Sequence, residues 1–441
     1  MPETTFCVIP WLHRMTDEQG FHQLCCVGVG EGNQLLNALG ERLHISQYLT
    51  DEQLLNSPTV KNARAQMLRG EWPVACERCQ QAERSAGTSI RQQLNDVHER
   101  GRGASLLQRT SADGTLESPV VHYADIRLGN VCNLTCRMCG PVASRLWEPH
   151  FNQVQPKAYR LPKGQLITLS RNNWVKKDSL EWLLNQHLPS LESLHFAGGE
   201  PLIVPEMVEA LELCIGSGRA AEIQLSYNTN MTVLPEKVTS LWRHFRGVSI
   251  LCSVDAYGLL NDYIRRPSRW SDIDRNLHML DQRFDEWNVK WAAVTTTVQI
   301  YNVLTISELF EYLRTAGFAR IQKAPQLVPL LYPGYLSIQV LPASAKELAR
   351  QRLQAVMDRL DAAHEPELGA LTGSIRSTLA FMAAADTTSE LRDFFAFCAS
   401  SDQAFGDSWR EAAPELARHL DASKDTCEVT GIRRLFDLFG E

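Results

Sequence analysis

Short apolar runs alternate with longer amphipathic segments between residues 120 and 340. The short runs are typical of buried strands, and the longer segments repeat apolar residues every three or four positions, as amphipathic helices do. This alternation predicts βαβ units and a parallel sheet. The expected strands are 120–128, 191–199, 222–230, 247–256 and 289–300, with a sixth inside 320–341.

Helices are expected between these strands at 204–218, 235–245, 270–284 and 305–317. Six βα units are too few to close an eight-stranded barrel. The predicted fold is therefore α/β, an open partial (β/α)6 TIM barrel, with an N-terminal Cys-rich auxiliary domain and a C-terminal helical region. The polar segment 149–173 is predicted to be a long loop at the barrel mouth.

Four regions follow from the changes in pattern along the chain. Residues 1–100 combine cysteines with two helical stretches, 51–70 and 77–100. Residues 101–119 are polar and rich in Gly and Ser, which indicates a linker. Residues 120–340 form the predicted barrel. Residues 341–441 are predicted to be helical, with helices at 344–363, 389–400, 407–420 and 431–439.

Composition narrows the class of protein. The chain has 441 residues, of which 44% are hydrophobic and 22% charged, as in ordinary globular proteins. Its net charge of −7 argues against general nucleic-acid binding and against binding to anionic membranes. The N-terminus lacks the pattern of a signal peptide, and no run of about 18 apolar residues predicts a membrane span. The expected location is the cytoplasm.

The cysteines point to metal chemistry. Eight of the twelve lie within the first 139 residues. In a reducing compartment, clustered cysteines indicate metal binding more often than disulfides. Cys132, Cys136 and Cys139 are spaced C-x3-C-x2-C directly after the first predicted barrel strand. Three thiolates suit an iron–sulfur cluster that keeps one iron open, at the edge where parallel α/β folds place their chemistry.

This turn resembles that of the radical S-adenosylmethionine (SAM) enzymes. The resemblance implies a 4Fe–4S cluster on Cys132, Cys136 and Cys139, with SAM bound through its amino and carboxylate groups to the open iron. Reduction then splits the sulfonium, and a 5′-deoxyadenosyl radical abstracts hydrogen from the substrate. Met138, which precedes the last cysteine, is expected beside the adenine.

Further motifs extend the resemblance over about 120–340, roughly half of the chain. The sequence "GGEP", Gly198, Gly199, Glu200 and Pro201, is similar to the family motif that holds the methionyl ammonium. The resemblance also implies cofactor contacts for Asn228, Asn230, Ser253, Asp255 and Asn302. Met231 and Ala256 stand where the family commonly has glycine. Arg265 or Arg266 is a candidate partner for the methionyl carboxylate, and a solvated arginine at a helix start is the alternative.

A second group of cysteines lies near the N-terminus. Cys7, Gly20 and Cys25 are spaced C-x12-G-x4-C, and Cys76 and Cys79 form a C-x2-C pair. Four thiolates complete either a zinc site or a cluster. The pattern resembles the auxiliary half of SPASM and twitch domains, which implies one auxiliary 4Fe–4S cluster, here placed before the barrel. Cys26 is an alternative to Cys25 as the ligand.

The combined expectation is a radical SAM oxidoreductase or maturase. Its expected substrate is a ribosomally made peptide that undergoes oxidation or cross-linking, and a sugar, aminocyclitol or nucleotide is the alternative. The non-enzyme alternative is a binding protein stabilised by zinc or an iron–sulfur cluster. An electron donor such as flavodoxin or ferredoxin is the expected partner. His13 and His195 are expected to be structural, and Asp125 and Arg127 lie near the cluster turn without an assigned role.

Overall fold

The computed structural model describes residues 5–86, 89–171, 174–363 and 369–426. Within these ranges one eight-stranded sheet has the strand order β2-β1-β3-β4-β5-β6-β7-β8. The strands are β1 His13–Thr16, β2 His22–Gln23, β3 Tyr123–Arg127, β4 Ser193–Ala197, β5 Gln224–Thr229, β6 Gly247–Ser253, β7 Val289–Val298 and β8 Gln326–Pro329.

Strands β3 to β8 are parallel and consecutive, and they lie within the six segments that the sequence predicts. The α/β fold is confirmed, whereas closure into a partial barrel stays a prediction. The N-terminal segment is not separate from this sheet. Strand β1 pairs in parallel with β3, and β2 pairs antiparallel with β1.

Helices cover the N-terminal region, the connections between strands and the C-terminal region. The N-terminal helices are α1 Ile9–Leu12, α2 Asp51–Leu55, α3 Pro58–Leu68, α4 Glu77–Ala86, α5 Ile90–His98 and α6 Gly103–Gln108. The connecting helices are α7 Phe151–Val154, α8 Lys163–Arg171, α9 Lys177–His187, α10 Glu206–Gly216, α11 Glu236–Thr239, α12 Leu259–Ile264, α13 Trp270–Gln282 and α14 Ile306–Thr315. The C-terminal helices are α15 Ala343–Ala363, α16 Gly369–Ala384, α17 Leu391–Phe405, α18 Trp409–Ala412 and α19 Pro414–Thr426.

Several sequence predictions need correction. The stretch 51–70 forms two helices because Pro58, which has no N–H to donate, starts α3 at its first position. The predicted linker 101–119 contains α6 and buries Leu106 and Leu116 against Cys7. The predicted loop 149–173 contains α7 and α8.

The C-terminal region also differs in detail from its prediction. Helix α16 is an additional helix that the sequence analysis did not predict, and its side chains Leu371, Ile375 and Met382 are buried in the same core as Leu327 of β8. The predicted helix 431–439 and Cys427 lie outside the described residues.

The two faces of the sheet differ in chemistry because successive strand residues point to opposite faces. One face carries apolar residues such as Ile126, Phe196 and Ile250, which form the largest core with α9, α10 and α13. We call the opposite side the polar face. Its polar residues include Asp125, Arg127, His195, Ser226, Asn228, Ser253, Thr295 and Thr297.

No helix in the described ranges combines the length and the apolar character that crossing a bilayer requires.

Candidate functional site

The three-cysteine turn follows β3 and is held by backbone hydrogen bonds to the end of α12. The Thr135 N–H donates to the Arg266 carbonyl at 2.6 Å, and the Arg137 N–H donates to the Ile264 carbonyl at 2.8 Å. Within the turn, the Cys139 N–H donates to the Cys136 carbonyl at 2.9 Å, and the two thiols interact directly. The structure therefore presents Cys136 and Cys139 as neighbouring thiols on one fixed loop.

Burial raises the pKa of the Cys132 thiol to about 12, and the neighbouring Cys136 adds to the rise. Burial and the Cys139 thiol also raise the pKa of Cys136, with the Cys139 hydrogen bond as the leading cause. Arg265 opposes both shifts, since a guanidinium favours a nearby thiolate. The thiols thus lie in a site where an added cationic group would favour their ionisation.

Gly198 and Gly199 follow β4 and pack directly against this turn. Both have positive φ angles, +79° and +55°, which a side chain would strain. A Cβ on Gly199 would also lie 2.3 Å from the Val131 carbonyl oxygen. The Glu200 N–H donates to that same oxygen at 2.8 Å. The glycine pair is required here because the two loops touch backbone to backbone.

The Glu200 carboxylate is buried and joins its own loop to the end of β5. It accepts hydrogen bonds from the Thr229 hydroxyl at 2.8 Å, the Asn230 N–H at 2.6 Å and the Leu202 N–H at 3.2 Å. Burial raises the pKa of Glu200 to about 7, although these hydrogen bonds oppose the rise. The Asn230 side chain then donates to the Asn133 side chain at 2.9 Å, which returns the network to the cysteine turn.

Asp255 and Arg265 form a buried ion pair at the same edge of the sheet. Arg265 Nε lies 2.8 Å from Asp255 Oδ2. Asp255 Oδ1 also accepts a hydrogen bond from the Thr297 N–H at 2.8 Å. Burial raises the pKa of Asp255, and Arg265 opposes that shift. Burial lowers the pKa of Arg265, but Asp255 and Cys136 more than offset this effect, so its net pKa is raised.

The structure separates the two arginine candidates. Arg265 is 8% exposed and faces Asp255, so it is not a solvated arginine at a helix start. Arg266 instead turns towards the C-terminal region and donates to the Phe405 carbonyl at 3.0 Å.

The other predicted cofactor residues have different surroundings. The Asn302 amide donates to the carbonyls of Asp255 and Thr297, at 2.8 and 2.9 Å, and its oxygen accepts from the Gln299 N–H at 2.8 Å. Asn302 therefore connects backbone segments. Asn228 and Ser253 lie on the polar face, and Pro201 is buried. Met138 packs against the core that also contains Leu371 and Ile375 of α16.

The second predicted cysteine group lines one cavity. Cys7, Cys25, Cys76 and Cys79 all lie on its wall, together with Arg91. The Arg91 guanidinium is fixed by Glu83, with Nε 2.8 Å from Oε1, and donates to the Phe6 carbonyl at 2.5 Å. Burial is the leading cause that raises the pKa of the Cys76 thiol to about 12, whereas Arg91 lowers it.

Cys25 and Cys26 differ in position. Cys25 lines the cavity, whereas Cys26 is not part of its wall. The Cys26 thiol interacts with Cys25 and lies near Asp125 and Arg127. Hydrogen bonding from Cys25 is the leading cause of the lowered pKa of Cys26, and burial opposes it.

No three His, Cys, Asp or Glu side chains in the described part of the chain converge tightly enough to hold a single metal ion. A tetrahedral zinc requires its sulfurs at about 2.3 Å from one point. A cluster spreads its ligands around several irons. Four thiols line the cavity beside the buried Arg91 guanidinium, and this donor set suits either zinc or a cluster.

The sequence did not predict that His13, Asp125, Arg127 and His195 lie together on the polar face. Strand β1 places His13 on the same side as Asp125, whose carboxylate lies 3.1 Å from Arg127 Nε. His195 lies opposite Asp125 in the register and contacts the Ser226 hydroxyl at 2.8 Å. Burial lowers the pKa of His13 to about 4, although the negative charge of Asp125 acts to raise it. The pairing of β1 with β3 adds His13 to this group, and the pairing of β3 with β4 adds His195. No spacing in the sequence indicates the pairing of β1 with β3.

Neither a protein-family model nor a curated protein sequence matches this chain. Solved structures give weak likenesses. Native anSMEcpe with bound AdoMet is 16% identical at a TM-score of 0.38, over 54% of this chain and 60% of its own length. Streptococcus suis SuiB bound to precursor peptide SuiA is 14% identical at a TM-score of 0.37, over 80% of this chain and 71% of its own. At these values the likenesses support no inference about function.

Proposed function

We propose that this chain is a radical SAM enzyme that also holds an auxiliary iron–sulfur cluster. One observation carries the proposal. The three-cysteine turn, the Gly198-Gly199-Glu200 turn and the Asp255–Arg265 pair meet at the carboxyl edge of one parallel sheet. In parallel α/β folds that edge is where ligands bind and chemistry occurs.

Cys132, Cys136 and Cys139 would hold the SAM-binding 4Fe–4S cluster. When bound, that cluster and SAM supply the electron and the sulfonium whose cleavage starts hydrogen abstraction from the substrate. Three thiol ligands leave one iron without a protein ligand, which is the condition for binding a small molecule there.

The charged residues around the turn suit the methionyl end of SAM. That end carries an ammonium and a carboxylate. The site offers the buried Glu200 carboxylate to the first and the buried Arg265 guanidinium, which also pairs with Asp255, to the second. The three hydrogen bonds to Glu200 fix its orientation, and Asp255 fixes Arg265. Both side chains are therefore oriented before the ligand arrives, which limits the entropic cost of binding.

Cys7, Cys25, Cys76 and Cys79 would hold the auxiliary 4Fe–4S cluster. Four ligands leave no iron open, so this cluster would serve electron transfer and stabilise the N-terminal region. The Arg91 guanidinium on the cavity wall would stabilise the negative charge of the thiolates. Zinc is the rival metal at this cavity, and metal analysis of protein purified without oxygen separates the two.

The proposed substrate is a ribosomally made peptide, modified by oxidation or cross-linking with electrons passing to the auxiliary cluster. A sugar, aminocyclitol or nucleotide is the alternative. The peptide substrate would be supported if a short precursor peptide is encoded beside this chain and the chain modifies it in vitro. Modification of a small molecule but not of that peptide would support a sugar, aminocyclitol or nucleotide substrate.

The test of the proposed function is anaerobic reconstitution with iron and sulfide, followed by dithionite and SAM. Release of 5′-deoxyadenosine supports the enzyme. The non-enzyme alternative, a binding protein stabilised by metal, predicts metal content without any such product.

A further inference from the structure

We propose that Arg137 is a positioning residue through which the C-terminal region holds both the three-cysteine turn and Arg265. The segment responsible is 402–407, which comprises the end of α17 and the residues that follow it. The inference rests on the proposed function for its effect on SAM, but its geometry is independent of any bound group.

Arg137 lies between two of the proposed cluster ligands, and its side chain is fully buried. Its Nε donates to the Tyr263 carbonyl at 3.2 Å, and its Nη2 donates to Asp407 Oδ2 at 2.6 Å. The Tyr263 ring lies 4.1 Å from the guanidinium carbon. One side chain in the turn therefore joins α12 and the 402–407 segment at once, and the several donors of a guanidinium suit this role.

The end of α12 is attached to the same C-terminal segment. The Tyr263 hydroxyl donates to Asp402 Oδ1 at 2.8 Å. Arg266 donates to the Phe405 carbonyl at 3.0 Å, and its Nε lies 3.3 Å from Asp407 Oδ2. Asp407 thus pairs with one arginine from the cysteine turn and one from the end of α12.

These contacts fix Arg265 from both sides. The backbone carbonyls of Ile264 and Arg266 accept hydrogen bonds from the cysteine turn, while the Arg265 side chain reaches Asp255. A displacement of the 402–407 segment would therefore move the cysteine turn and Arg265 relative to Asp255. The C-terminal region, to which the sequence assigned no chemistry, becomes part of the proposed SAM site.

The chain offers a matched control pair. Arg352 of α15 also joins a carboxylate and a backbone carbonyl, with Nη1 2.6 Å from Glu415 Oε2 and 2.7 Å from the Leu304 carbonyl. This second arginine links the C-terminal helices to the βα unit at α14, and its hydrogen bonds and ion pair within the described residues go to Leu304 and Glu415, not to the cysteine turn. Glu415→Gln should therefore weaken the helix packing without disturbing residues 131–140.

The experiment compares Asp407→Ala, the double variant Arg137→Met/Asp407→Ala, and Glu415→Gln. The first measurement is hydrogen–deuterium exchange of the 131–140 amides in the metal-free full chain. The second is SAM affinity and the SAM-induced change in the electron paramagnetic resonance spectrum of the reduced, reconstituted protein. The third is thermal unfolding.

We expect Asp407→Ala to speed amide exchange in 131–140 and to weaken SAM binding by about tenfold. The double variant leaves no buried arginine unpaired, so its thermal stability should recover while amide exchange and SAM affinity stay altered. Glu415→Gln should leave amide exchange in 131–140 and SAM affinity unchanged. The inference is overturned if the double variant recovers all three properties, or if Glu415→Gln alters exchange in 131–140 as Asp407→Ala does.

Different measurements test the proposed function and the role of Arg137. A reconstituted wild-type protein whose spectrum does not respond to SAM would refute the proposed function. The exchange measurement on the metal-free chain would still decide whether Arg137 and Asp407 hold the turn.

Discussion

Arg265 Nε lies 2.8 Å from Asp255 Oδ2, and both side chains are buried at the carboxyl edge of the sheet. Removal of one charge leaves the other buried without its partner, which costs about 3–5 kcal/mol. We therefore expect Asp255→Asn to lower the free energy of unfolding by an amount in this range and to weaken SAM binding. Chemical denaturation and equilibrium SAM binding measure the two effects.

Asp272→Asn is the control for that variant, because Asp272 pairs with Arg275 at 2.7 Å on the surface. Exposed pairs of this kind contribute about 0–1 kcal/mol. Equal losses of stability in the two variants would contradict the buried-pair account.

Glu200 gives a pH dependence with a defined sign. Its pKa in the folded chain is raised to about 7, from an ordinary value of 4.5. Between these two pH values Glu200 keeps its proton in the folded chain but loses it in the unfolded chain. The contribution of Glu200 to the free energy of unfolding therefore falls as the pH rises. As the pH rises from 4.5 to 7, the free energy of unfolding of metal-free Glu200→Gln should therefore increase by about 2–4 kcal/mol relative to that of the metal-free wild type. Denaturation at several pH values measures this, and parallel curves for the two proteins would contradict it.

Gly199→Ala tests the contact between the glycine turn and the cysteine turn. A left-handed φ costs a residue with a Cβ about 1–2 kcal/mol. Gly199 adds a clash with the Val131 carbonyl at 2.3 Å, whereas Gly218, with φ of +75°, has nothing within 4 Å. We expect Gly199→Ala to lose clearly more stability than Gly218→Ala and to lose SAM binding, which Gly218→Ala should keep. Similar losses in both variants would show that the close approach is unimportant.

Cys25 and Cys26 give a test of the auxiliary site with adjacent residues as variant and control. Cys25 lines the four-cysteine cavity and Cys26 does not. Cys25→Ala should lose roughly half of the iron of the reconstituted protein, as should replacement of Cys76 and Cys79, while some SAM cleavage remains. Cys26→Ala should keep the full iron content. Zinc in the purified protein, with full iron retained in Cys25→Ala, would refute the auxiliary cluster.

Local pattern was sufficient for much of this structure. The alternation of apolar runs predicted the six parallel strands, because strand and helix periods are properties of neighbouring residues. The spacing of Cys132, Cys136 and Cys139 likewise placed these residues on one turn, since three positions within eight residues cannot lie far apart.

The features that the sequence did not predict depend on distant pairing. The four residues of β1 show no alternation because all of them are buried, and their partner strand begins more than 100 residues later. Arg137 and Asp407 are 270 positions apart. The different surroundings of Arg265 and Arg266, and of Cys25 and Cys26, also depend on tertiary structure, because adjacent residues with identical chemistry differ only in what they face.

The central claim is that the three-cysteine turn supports SAM cleavage. The most direct measurement is 5′-deoxyadenosine release by the anaerobically reconstituted chain with dithionite and SAM, compared with a variant in which Cys132, Cys136 and Cys139 are all replaced by alanine. The account predicts product from the wild type, none from the triple variant, and retained auxiliary iron in that variant. Absence of 5′-deoxyadenosine from a wild-type protein with its full iron content would contradict it.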